Sequence, residues 1–520
     1  MGYVKRKAWF LGMFVITVAA SQWGVASESI SLTVVDDPDD PQARVFDVTQ
    51  SSSGAVQLVC DEQGGDAERH LVRGSGTDAE QTLRLRGLKA DSTYRCFALG
   101  GRRSVSNSVE FTTAPLPDDL LVPTLIMPSA HPSQTGYMLF AVGNMYYNGH
   151  IIDGFDPQKL SSDSNYLVIV DTLGNVRWYF AGPGAGDFQT HYLGDDRILF
   201  AGQGFPKAWG PTIVRLDKSL EVTATQEKTV SYEVSNEEGL YYNHDVFLAA
   251  DGESVFTFVH TRQGSLVGFI IKEFSLSDED GNGVLDDVLW YWDSFEEEAR
   301  GNIEQYNPLE PYTEDPLHPN SIWVTRGQDG KRALYVSLRN SSEIIKIDYS
   351  TKDVLWTMGY NSGDFVLFDA NWTLADPSRW FFNQHHVQLS NGRLVLYDNG
   401  SDRFLAGGDP YTRGLVLEFD ENSRYVRIVQ EYTESDWLEP FWGGYTLNAD
   451  GTQLVASGHC EFCEASSPFG SFITLADSQG APLWRVQYDD DHLEAMLYRV
   501  ENISGCDIFN NLLFCPNGSF

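Results

Sequence analysis

A strand, an acidic turn and a second strand that often carries Trp recur through most of this chain. The unit reads LVIVDTLGNVRWYF at 167–180, IVRLDKSLEV at 213–222, IIKIDYSTKDVLWTMG at 344–359, LVLEFDENSRYVRIV at 415–429 and FITLADSQGAPLWRV at 472–486. A sixth copy, IIKEFSLSDEDGNGVLDDVLWYW at 270–292, has a longer turn. A second hairpin precedes most copies: THYLGDDRILFAG, NHDVFLAADGESVFTFV, HPNSIWVTRGQDGKRALYVSLR, QHHVQLSNGRLVLYDNG and GGYTLNADGTQLVAS. Asp-Gly and Asn-Gly pairs suit tight hairpin turns, and the flanking Val, Leu, Ile and Phe suit strands. An inner and an outer hairpin together make a four-stranded unit, and such units close radially with little exposed edge. A parallel sheet covered by helices would need long amphipathic segments, which are missing. The expected fold is all-β: a six-bladed β-propeller over residues 116–520. Its first blade is the poorest copy, at about 134–180, with GYMLFAV expected as the inner strand.

Residues 28–115 carry shorter alternating segments, among them SISLTVV, AVQLVC, STYRCFAL and SVEFTTAPLP. They predict a small fibronectin/immunoglobulin-like β-sandwich, with APLPDDL as the linker. Residues 1–27 read as an export signal, because Lys5, Arg6 and Lys7 precede AWFLGMFVITVAA and Ala19, Ala20 and Ala26 offer cleavage points. The apolar stretch is short for an anchor, so the mature chain is expected to have no integral membrane span and to be secreted or periplasmic; a retained signal anchor is the alternative. Six cysteines agree with an oxidising compartment. Cys60 and Cys96 are placed to join two strands across the sandwich. Cys460, Cys463, Cys506 and Cys515 allow three pairings, with zinc at the CxxC as the alternative. N-x-S/T triplets stand at Asn340, Asn371, Asn399, Asn502 and Asn517.

Basic residues number 36 against 73 acidic ones, a net charge of −37. Nucleic acid and anionic membranes are therefore poor partners, and an anionic substrate needs a local cluster of Arg or His to hold it. Such a cluster is legible. The inner hairpins open at His191, His244, His318 and His385, equivalent places that converge on a central channel; polar packing of the funnel is the plain alternative. Tyr242, Trp442 and Tyr445, with Tyr241, Trp380 and Phe381, are placed to line an aryl slot or to pack between blades. DEDGNGVLDD puts Asp278, Asp280, Asn282 and Asp286 at calcium-loop spacing around Gly283, but Leu289 replaces the closing Glu, so structural calcium competes with a plain acidic turn.

The block HPNSIWVTRGQDGKRALYVSLRNSSEIIKIDYSTKDVLWTMG (318–359), preceded by VLWYWDSF and followed by QHHVQLSNGRLVLYDNG, resembles the arylsulfate sulfotransferase family over most of residues 125–500. The resemblance implies a six-bladed propeller, often with a small β-sandwich before it. It implies transfer of a sulfuryl group from an aryl sulfate to a phenolic acceptor through a sulfohistidine, with no nucleotide donor and no required cofactor. By motif, His385 matches the nucleophile, and His318 and Asn320 match the H-x-N-S residues. Arg339 matches the Arg of S-x-R-x-x-S, and His244 lies in the segment that is HHD-like in the family. Asn243 stands where many relatives have His. Because side chains alternate along a strand, His386 is expected to point away from the channel.

The chemistry is also consistent with these residue types. A neutral imidazole can attack sulfur and divide one transfer into two steps. His318, Arg339 and His244 can stabilise charge on the sulfuryl oxygens, and a second imidazole can protonate the departing phenolate. The rivals are a sulfatase-like enzyme on the same scaffold and a noncatalytic extracellular binding propeller. A homodimer is compatible with the sequence.

Overall fold

The computed structural model describes residues 29–509 apart from 65–67, 75, 102–103, 130–135, 145–165, 182–188, 204–207, 226–240, 278–284, 286, 302, 304–313, 327–329, 459–469, 489–494 and 504–507. The export signal, the four calcium-loop residues Asp278, Asp280, Asn282 and Asp286, and the C-terminal cysteine group lie outside the described residues.

Two small antiparallel sheets form first. Ile30–Asp36, Arg44–Gln50 and Glu80–Leu85 make one; Arg69–Arg73, Gln57–Glu62, Thr93–Leu99 and Val109–Thr112 make the other. Arg44–Gln50 buries alternate residues, as a strand with one wet face should. The inward side chains of both sheets, including Leu32, Phe46, Leu58, Leu83 and Tyr94, share one core. Cys60 and Cys96 are disulfide-bonded. The expectation that this bond crosses between sheets is corrected: the two cysteines sit directly opposite each other on neighbouring strands, so the bond staples a single sheet.

Six further sheets, each of four or five strands, follow in chain order. The inner and outer hairpins of the sequence are adjacent in each, and the apolar clusters lie between sheets. Tyr166–Val170 and Phe472–Ala476 are buried at every position, the mark of strands packed on both faces. In five sheets the innermost strand opens the inner hairpin: Thr190–Gly194, Tyr241–Leu248, Pro319–Arg326, His385–Ser390 and Gly444–Leu447. The remaining sheet corrects the sequence reading. Its innermost strand is Ala495–Ile503, from the far end of the described chain, and GYMLFAV (Tyr137–Asn144) is the second strand. The long-range pairing joins the beginning and end of the array. Thr124–Met127 does the same on the outside, pairing with Pro482–Gln487.

His191, Val246, Ile322, His386, Thr446 and Arg499, one residue from each innermost strand, border a common cavity of about 190 Å³. The molecule is thus an all-β assembly of small antiparallel sheets in a propeller-like arrangement. No helix among the described residues is long and apolar enough to cross a membrane.

Candidate active site

The innermost strands carry bulges where the histidines fall. Register slips between Asn243 and Val246, between Pro319 and Ser321, and between His385 and Gln388. His244, His318 and His386 adopt φ of 58°, 48° and 55° at or beside these slips. A left-handed residue at a bulge breaks the strict alternation of side chains and re-aims its neighbours. For this reason the expectation for His386 is corrected: its ring borders the central cavity instead of pointing away, and His385, one residue earlier, joins a different group.

That group is formed by His244, His318 and His385 around Tyr498. His244 and His318 approach Nε2 to Nε2 at 2.7 Å, and His318 Nδ1 lies 2.5 Å from Asp315 Oδ2. His244 and His385 have ring centres 6.4 Å apart. Tyr498 stacks on His244 at 6.0 Å and meets His385 edge-on at 5.7 Å. Burial, followed by the charges of His318 and His385, holds His244 well below the usual imidazole range. His385 is likewise held well below it, by burial and then by the Arg339 guanidinium. Burial alone would raise the Asp315 carboxyl, but the charge of His318 and its hydrogen bond bring it below its ordinary value.

Arg339 is buried beside this group. Nη1 donates to Asn340 Oδ1 at 2.7 Å, Nη2 donates to Pro440 O at 3.0 Å, and the guanidinium lies over the Phe441 ring. Both of these bonds go to neutral acceptors. Burial pushes the nearby Glu439 carboxyl up to about 7, although it accepts from Phe441 N and Trp442 N.

The H-x-N-S residues lace the strand of His385 in place. Asn320 Nδ2 donates to Gln384 O at 2.7 Å, and Val387 N donates to Ser321 Oγ at 2.8 Å, so the two bonds bracket His385 and His386. Asn320 therefore acts on the main chain beside His385. Its own carbonyl accepts from Tyr498 Oη at 3.1 Å and from Arg499 Nη2 at 2.9 Å.

The structure separates His191 from the three clustered histidines. It borders the cavity with His386, donates to Val246 O at 3.1 Å, and is pushed down to about 4 by burial. Arg499 Nη1 bonds Asp245 Oδ1 there at 2.7 Å. Tyr445 does not line an aryl slot: it is fully buried, its Oη donates to Gln453 Oε1, and its ring packs against Gly414. Trp380 and Phe381 are likewise core residues. Trp442 is half-buried and close to the site, with its carbonyl accepting from Asn399 Nδ2. Tyr242 and Asn243 lie on the strand with His244, but their side chains are outside the described residues. Asp315, Tyr498, Asn399, Asp245 and Arg499 were missed from sequence, because none shares the repeat position that marks the histidines.

The histidine cluster and the buried guanidinium beside it are thus set on a propeller-like all-β scaffold. A family model described as arylsulfotransferase (ASST) matches residues 130–499. The chain belongs to that family. It is a sulfotransferase-type enzyme that moves sulfate between aryl donor and acceptor groups, with a catalytic histidine in place of a metal cofactor. Its small-molecule partners are aryl sulfates and phenols, and the family is generally periplasmic or secreted. No curated protein matches the chain. Similar solved structures include a Bacteroides caccae protein of unknown function, at 11% identity over 70% of this chain and 98% of that one, with a TM-score of 0.39. The Pseudomonas aeruginosa periplasmic gluconolactonase PpgL is similar at 12% identity over 70% and 96%, with a TM-score of 0.33. The β-propeller domain of Myceliophthora thermophila Cps50 (Swd1) is similar at 8% identity over 74% and 86%, also with a TM-score of 0.33.

Proposed function

We propose that His385 is the nucleophile of a two-step sulfuryl transfer. Its Nε2 lone pair forms an N–S bond as the S–O bond to the aryl oxygen breaks, and the electron pair leaves with the phenolate. The His244 and His318 pair supplies a proton to that oxygen and takes one from the incoming phenol, whose oxygen then attacks sulfur and releases His385. Arg339 offsets charge on the sulfuryl oxygens. Asn320 keeps the strand of His385 in position. The single observation that carries this reading is the meeting of His244, His318 and His385 around Tyr498, three imidazoles carried in or just before three innermost strands.

The scaffold of this reading is a six-bladed propeller over 116–520, supported by the six innermost strands around one cavity. The strands of 28–115 form a fibronectin/immunoglobulin-like sandwich docked on it: Arg177, on the outermost strand of the first sheet, reaches Glu68 Oε2 at 2.6 Å and Gly87 O at 3.1 Å. Phe441, whose half-buried ring lies against the Arg339 guanidinium, and Trp442, half-buried and packed beside Tyr498, are the aromatic residues placed to meet an aryl substrate. Incubation with an aryl sulfate and a phenol should transfer sulfate. The His385→Ala protein, folded by near-UV circular dichroism, should not; wild-type rates in that variant would reject the assignment.

A further inference from the structure

His385 Nδ1 lies 2.7 Å from Asn399 Oδ1. The direction of that hydrogen bond is set by the other end of the amide. Asn399 Nδ2 donates to Glu439 O at 2.7 Å and to Trp442 O at 3.3 Å. Both acceptors are main-chain carbonyls, so a flipped amide would place oxygen against oxygen there. Asn399 therefore turns its oxygen to the ring, and an amide oxygen only accepts. Nδ1 must carry the imidazole proton, and Nε2 must keep the lone pair.

We infer that Asn399 is the positioning residue that fixes the tautomer and aim of His385, reserving Nε2 as the nucleophilic nitrogen. The inference rests on the reading of His385 as nucleophile and goes beyond it by naming what makes one ring nitrogen reactive.

The residues around Asn399 hold it rigidly. Before it, the buried Asp398 carboxylate accepts from Arg403 Nη2 and Arg413 Nε, both at 2.7 Å, and from Phe382 N at 2.9 Å. After it, Gly400 turns with φ 71°, where an added Cβ would fall 2.0 Å from Tyr411 O. Asn399 O itself accepts from Thr412 Oγ1 at 2.9 Å. The side chain is fully buried, so water does not compete for its oxygen.

Neutrality of the amide matters as much as its position. The groups facing the His385 ring are Arg339, Arg499, His318, His244 and Tyr498. When Nε2 forms the N–S bond, the ring takes up positive charge while Nδ1 keeps its proton. The Asn399 oxygen stabilises that N–H without being able to remove it. A carboxylate at the same place would stabilise imidazolium in the free enzyme too, and so would consume the lone pair before substrate arrives.

Two measurements test this. The first is ¹⁵N NMR of histidine-labelled protein, with the His385 signals assigned by their loss in His385→Ala. Wild type should show a protonated Nδ1 and an unprotonated Nε2, and the reverse pattern would overturn the inference without any substitution at Asn399. The second is the pH profile of transfer from an aryl sulfate to a phenol. Asn399→Ala should lose roughly 10–100-fold in kcat while KM changes little. Asn399→Asp should move the acidic limb to higher pH by roughly 1–3 units. A folded Asn399→Asp protein with the wild-type profile would overturn the inference. Undiminished transfer by His385→Ala would instead remove the nucleophile reading, and the inference with it. An inactive His385→Ala combined with a protonated Nε2 in wild type would spare that reading and reject the role of Asn399 alone.

Discussion

His244 and His318 share a single proton, because their Nε2 atoms face each other at 2.7 Å across neighbouring sheets. Two N–H groups cannot point at one another, so one ring donates and the other accepts. His244 is held neutral by burial and by the charge of His318, whereas His318 has the Asp315 carboxylate at its other nitrogen. In the proposed transfer this pair gives a proton and takes it back.

Replacing His318 with Gln should lower kcat by about 10²–10⁴, the usual range for loss of general acid–base help. The defect should shrink as the donor's phenol becomes more acidic, since a good leaving group needs no proton. A series of substituted aryl sulfates checks this; an equal loss across the series would assign His318 a purely structural part.

Arg339 should matter through its shape as well as its charge. Arg339→Ala is expected to cost about 10²–10³ in kcat, the scale of removing one donor to developing negative charge. Arg339→Lys should recover only part of that, because an ammonium cannot present a planar fork to Asn340 Oδ1, Pro440 O and an anion together. Steady-state kinetics on both proteins provide the check.

Stability should respond to pH through Glu439. Its folded-state value of about 7 lies above the ordinary 4.5. Between those values the folded protein binds a proton that the unfolded chain has released, so the contribution is full below 4.5 and is lost as pH rises through 7. The loss is on the order of 3 kcal/mol. Buried His244, His385 and His386, whose values are lowered, act oppositely, losing stability as pH falls below 6.5. Comparing Glu439→Gln with wild type cancels them. Denaturant unfolding should show the variant gaining on wild type between pH 5 and pH 8.

The repeating hairpins were legible because their turns and apolar runs are local properties of the chain. Ala495–Ile503 was not, since its partner Tyr137–Asn144 lies hundreds of residues away and no turn joins them. Likewise, His244, His318 and His385 could be found from their repeat position, and Arg339 from its motif. Choosing between His385 and His386 by alternation assumed a regular strand, and the bulge at His386 removed that regularity. Asn399 and Asp315 reach the histidines through side-chain hydrogen bonds that leave no periodic trace. Tyr445 has the residue type of a substrate slot, but it fills space between sheets.

The most direct test is the intact mass of the enzyme quenched shortly after mixing with an aryl sulfate and no acceptor, followed by peptide mapping. Wild type should gain the mass of one SO₃ group, located on His385 and discharged by added phenol, and His385→Ala should gain none. A sulfuryl group on another residue, or turnover by wild type with no covalent enzyme at any time, would contradict the account.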